Sequence, residues 1–147
     1  MTHAYIEPYL KDVMRNLGVM AHFCINEYGV SPEEFSALFA KSLVAEQICM
    51  GNPRFLTGMS GKEMADMIME MSNGHKTAGS DIYHITPEYW AGWVLAYYQW
   101  YTAKSFAQMY ADGQSYDKIL RMYHPMHEAD LKKIVEYIDL PITTCAS

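Results

Sequence analysis

The run EYWAGWVLAYYQWYTAK, residues 88–104, holds all three tryptophans of the chain and four of its tyrosines. That much aromatic surface within about four to five helical turns has to be buried, lodged in a membrane or used to hold a ligand. At 100° per residue, Trp90, Val94, Tyr97 and Tyr101 share one face, flanked by Trp93, Tyr98 and Trp100. The other side is small: Gly92, Ala96 and Ala103, with Gln99 between them. A helix apolar almost all round is a central one, and its small stripe lets a neighbouring helix come close. Thr86 supplies an N-cap and Pro87 the first helical position. No stretch reaches the ~18 uninterrupted apolar residues of a membrane span.

The other segments read as helices that wrap this one. Leu10, Val13, Met14, Leu17, Met20, Ala21, Cys24 and Tyr28 recur at three- and four-residue steps, which predicts a helix from Glu7 to Tyr28 stopped by Gly29. Val19 and Phe23 lie on its reverse face and call for a second packing surface, internal or with a partner. SPEEF opens a helix with Ser31 as cap, and Phe35, Leu38, Phe39, Leu43 and Cys49 continue it to Gly51. SGKE opens a third, with Met64, Met67, Ile68 and Met71 inward. Residues 72–81 read as a loop, and the IYHI run after them is an isolated extended candidate. Ser105 and Ser115 open two short helices. A last one carries Leu131, Ile134, Val135 and Ile138 and ends before Pro141. The expectation is all-α: one compact domain over residues 1–147, of about seven helices around the aromatic one.

Formal charge is −6, which disfavours broad contact with nucleic-acid phosphates and weakly favours a basic partner. Cys24, Cys49 and Cys145 are odd in number and widely spaced, which fits reduced thiols in a cytoplasm. MTHAYIEPYLKD lacks the basic start and apolar run of a signal peptide.

No catalytic motif emerges. Glu46 falls on the stripe of Phe35, Phe39 and Ser42, three turns on from Phe35, as a site acid, a ligand anchor or a structural partner for Arg54 or for a Tyr hydroxyl of the aromatic helix. With Trp93, Tyr97, Gln99, Trp100 and Tyr101 it forms the candidate ligand-binding set: aromatic faces to stack a planar ring and Gln99 to read its edge. Val19 and Phe23 are the candidate partner interface. His124 and His127 have Pro125 between them and no second ligand pair, so no metal or other cofactor is expected. TGMSGKE has neither the spacing of a nucleophile elbow nor that of a phosphate loop, and Ser60 reads as a cap. SFAQMYADGQSYDKILRMY has the length and central Gly of a helix-turn-helix but offers DNA only Lys118 and Arg121.

The stretches EPYLKDVMRNLG, GNPRFLTGMSGKEMA, PEYWAGWVLAYYQWYTAKSF and ILRMYHPMHEAD span most of the chain. In them the chain resembles a family of short bacterial proteins of Firmicutes type to which no activity is assigned. Members of that family tend to be encoded beside toxin–antitoxin-type genes. The resemblance implies a partner protein from a neighbouring gene, and it carries over no catalytic residue. The chain departs from the family pattern in its NGHKTAGSDIYH loop and its Met-rich third helix. The expected function is a non-enzymatic interaction module that restrains a partner, as an antitoxin or mobile-element inhibitor does. Self-association is compatible with it. The alternatives are a small-molecule or nucleotide-binding domain with an aromatic pocket, and a DNA-binding regulator.

Overall fold

In the computed structural model, which describes residues 3–71 and 86–139, every regular element is helical. A single 3-10 turn, Glu7–Tyr9, leads into α1 (Leu10–Asn26). There follow α2 (Pro32–Ala40), α3 (Leu43–Cys49), α4 (Pro53–Leu56) and α5 (Gly61–Met71). The aromatic helix is α6 (Pro87–Thr102). After it come α7 (Phe106–Ala111), α8 (Tyr116–Leu120), α9 (Tyr123–Met126) and α10 (Leu131–Ile138). The expected loop at 72–81, the IYHI run, Pro141 and Cys145 lie outside the described residues.

The fold is built on the α1–α6 pair, which shares the most extensive contact of any two elements. The two backbones meet at Gly18 and Gly92. A Cβ on Gly92 would collide with the Leu17 carbonyl group and lie 3.0 Å from Gly18 Cα. One on Gly18 would lie 2.9 Å from the Tyr89 ring and carbonyl oxygen. The small stripe of α6 therefore does what its composition predicts, and α1 answers it with a glycine of its own. Around this crossing Leu17, Met20, Ala21, Val94 and Ala96 are almost wholly buried. Phe35, Phe39, Phe106 and Tyr116 extend the core through edge-on ring contacts at 4.7–4.8 Å.

Most helix starts follow the sequence. The Ser31, Thr86 and Ser105 hydroxyls accept the backbone N–H of Glu34, Tyr89 and Gln108 at 3.0–3.1 Å. At Ser60 the box is complete, because the Glu63 carboxylate also accepts the Ser60 N–H. Gly29 takes the left-handed conformation, φ 75°, just past the end of α1.

One expectation fails. The helix expected to run from Ser31 to about Gly51 is two helices with a corner at Lys41–Ser42. The Ser42 hydroxyl donates to the Phe39 carbonyl at 2.7 Å and accepts the Ala45 N–H at 3.1 Å, closing α2 and starting α3 with one side chain. Past the corner the buried positions are Val44, Ala45 and Ile48. Leu43 is 48% exposed and Glu46 faces out.

Val19 and Phe23 are half-buried within the chain. A Cβ on Gly61, at the start of α5, would lie 2.7 Å from Val19 Cβ, and the Lys62 ammonium stands 5.9 Å from the Phe23 ring centre. Helix α5 thus supplies the second surface that these two residues call for.

At the end of α6, Ala103 holds φ 60°, a position glycine usually fills. Two stability changes follow. Gly92→Ala drives a methyl group into the α1 backbone and should cost about 2–4 kcal/mol in urea denaturation, despite alanine's better helix propensity. Ala103→Gly relieves the left-handed strain and should gain about 0.5–1 kcal/mol in the same assay.

Candidate functional site

Two places in the fold gather the residues singled out from the sequence. The first is the C-terminal end of α6. An α-helix leaves its last four carbonyls without intrahelical partners. Here Gln99 O accepts the Ala103 N–H at 2.8 Å, and one turn earlier Tyr98 O accepts the Thr102 hydroxyl at 2.8 Å. The next two carbonyls after Gln99 are met from the far end of the sequence. Ala4 N–H donates to Trp100 O at 3.0 Å, and His3 Nδ1–H donates to Tyr101 O at 3.3 Å.

The same segment covers the aromatic face. The His3 ring stacks on the Trp100 indole, with centroids 3.9 Å apart and planes 25° from parallel. The indole N–H donates to Tyr5 O at 2.7 Å. Trp100 is left 5% exposed. Tyr97 and Tyr101 stack at 5.9 Å beside it and are half-buried. Burial, then Tyr101 and Glu7, raise the Tyr97 phenol. Trp93 is half-buried on the core's edge. Gln99 is 1% exposed; its amide N–H donates to Lys104 O at 2.9 Å, and its carbonyl oxygen has no partner among the described residues.

The second place is a cleft of about 470 Å³ between α3 and α7. Ala40, Ala45, Ala103, Phe106 and Ala107 give it an apolar lining; Lys41, Glu46 and Ser105 add polar groups, and Cys49 and Met50 complete one wall. Glu46 belongs here. It lines the cleft from the first turn of α3, exposed, because the corner at Ser42 turns it off the Phe35–Phe39 stripe. None of Trp93, Tyr97, Gln99, Trp100 or Tyr101 lines this cleft, so Glu46 is not joined there by the aromatic residues. Burial pushes the Cys49 thiol up to about 11, with the Phe106 backbone N–H pulling the other way. Burial and the nearby Cys49 raise the Tyr5 phenol, whose buried oxygen has no partner among the described residues.

A third group centres on His22. His22 Nδ1 lies within hydrogen-bonding distance of the Thr86 hydroxyl, at 3.1 Å, and of the Asn26 amide, at 3.2 Å, and Asn26 also donates to Glu88 at 3.0 Å. This ties α1 to the start of α6. The sequence signals only Thr86, as a cap, because its partners lie more than 60 residues away.

The remaining candidates have local explanations. The His127 ring stacks on Tyr123 at 4.5 Å and donates to the Tyr123 carbonyl at 2.8 Å, while His124 lies edge-on to the same ring. Among the described residues no three His, Cys, Asp or Glu side chains gather as a metal would need. The helix that a helix-turn-helix would present to DNA, α8, has five residues. Its Lys118 donates to Ile138 O at 3.2 Å, and Arg121, which follows it, pairs with Asp117 and Glu33. No described helix is long and apolar enough to cross a membrane.

No family model matches the chain, and no curated protein or solved structure matches it at a significant level. The all-α single domain with a buried aromatic cluster is established by the structure itself.

The raised thiols and phenols set the alkaline behaviour. Cys49 starts from 9.0, and Tyr5, Tyr98 and Tyr116 from 10.0; burial is the first cause at each. Below those values the folded and unfolded chains are both protonated and stability is intact. Above them the unfolded chain loses protons that the folded chain keeps, so stability falls from about pH 9 upward. Urea midpoints at pH 8 and pH 10.5 should show this drop, and Cys49→Ala should shrink it. Alkylation of Cys49 at pH 8 should run roughly 100-fold slower in the folded chain than in the unfolded one.

Proposed function

We propose that this chain is a non-enzymatic module that binds and restrains another protein, seated against the α3–α7 cleft. The observation that supports it is where the exposed apolar side chains stand. Met50 is 70% exposed on the cleft wall, and Leu43 is 48% exposed on the same helix. Tyr5 and Gly51 approach each other, a Cβ on Gly51 lying 3.9 Å from Tyr5 Cβ. That contact brings Ile6, 63% exposed, to the same end of the molecule. An alanine-lined hollow flanked by such residues suits an apolar side chain presented by a partner helix. Lys41 and Glu46 would orient the partner, and the net charge of −6 favours one with a basic surface.

The partner most consistent with the family resemblance is a protein from a neighbouring gene, restrained as an antitoxin or mobile-element inhibitor restrains its target. Co-expression of the chain with the neighbouring gene products, followed by gentle purification, tests this. The expected result is a co-purifying partner whose affinity drops at least about tenfold on Met50→Glu or Ala107→Arg, with helicity and Tm unchanged. Recovery of the chain alone would refute the reading, and so would a partner held equally well by both variants.

A further inference from the structure

We infer that the end of α6 is a binding site for a planar N-heterocycle bearing an edge N–H donor, an imidazole or the imidazole half of a purine, and that His3 fills it in cis. This site is separate from the cleft and does not depend on the protein-binding reading. The His3 side chain already makes the two contacts such a ligand would make. Its ring lies on the Trp100 indole at 3.9 Å and 25°. Its Nδ1–H reaches Tyr101 O at 3.3 Å. Tyr101 stands beside the ring at 5.7 Å, tilted by 38°.

The acceptor is a helix C-terminal carbonyl. It lacks an intrahelical partner and sits at the negative end of the helix dipole, so it favours an incoming donor. The indole face offers stacking to any flat ring, and the carbonyl selects among flat rings for one with an N–H. The frame of the site does not depend on the His3 side chain. Ala4 N–H to Trp100 O and Trp100 N–H to Tyr5 O are both independent of it. Removing the imidazole therefore leaves a preformed place for another. A natural ligand of this class has to displace His3, which makes the segment ahead of α1 a competitor for the site.

The test is rescue of His3→Ala in the full chain. Thermal unfolding and tryptophan fluorescence are followed at pH 8 with imidazole, with thiazole (flat, of the same size, without an N–H) and with adenine. The expected result is a lower Tm for His3→Ala than for the wild type. Imidazole at about 100 mM should then raise the variant's Tm by about 2–5 °C, if the site binds at about 10 mM, with a matching fluorescence change. The wild type, its site filled, should move less, and thiazole should have a smaller effect than imidazole. A response of the variant to adenine extends the site to purines, and its absence restricts the site to the single ring. The inference is overturned if imidazole leaves His3→Ala unchanged, if variant and wild type respond alike, or if thiazole works as well as imidazole. Should His3→Ala unfold the chain, refolding by imidazole supports the site and failure to refold overturns it.

Discussion

The close approach of α1 and α6 at Gly18 and Gly92 is the constraint on which the rest depends. Two backbones in near contact bring the neighbouring side chains of both helices into one dense layer. Apart from Tyr89, whose ring lies against Gly18, the bulky residues of α6 turn to other segments. Trp90 packs edge-on against Tyr123 of α9 at 5.5 Å, and Trp100 is covered by residues 3–5. Tyr98 sends its hydroxyl to Asp139, just past α10. A glycine on each helix thus decides which faces of the aromatic helix need other segments as covers.

The aromatic helix answers the demand for burial in two ways. Its middle is core in the ordinary sense, with Val94 and Ala96 fully enclosed. Its end is finished by a segment some 95 residues earlier in the chain, which supplies hydrogen bonds to the last carbonyls and a ring to the last indole. Capping and stacking coincide because an α-helix ends where its carbonyls point outward and its last side chains fan out beside them. The polar demand and the apolar demand are met by the same few residues.

Much of this architecture is legible in the sequence, for identifiable reasons. Ser31, Ser60, Thr86 and Ser105 are local signals, and each caps as its chemistry dictates. The Gly92–Ala96 stripe is likewise local. Gly18 is not, because a lone glycine inside a helical pattern carries no mark of the partner that needs it. The corner at Ser42 is hidden for another reason. Phe35, Leu38, Phe39, Leu43 and Cys49 keep a helical rhythm straight through the break, and no glutamate follows at the third position to announce a new start. Glu46 therefore lies off the stripe that its spacing predicts. The burial of the aromatic helix is legible, but what lies on its end is not: the pairing of His3 with Trp100 spans most of the chain, and no short-range pattern encodes it.

The corner itself has a consequence for the cleft. A single hydroxyl both finishes α2 and begins α3, so the direction in which α3 leaves is decided by one oxygen rather than by a loop. Helix α3 is a wall of the cleft, and Met50 follows directly from it. The breadth of that hollow is therefore geared to a side chain that also lines it. An exchange at residue 42 would reset the width of the recess and the polarity of its rim together.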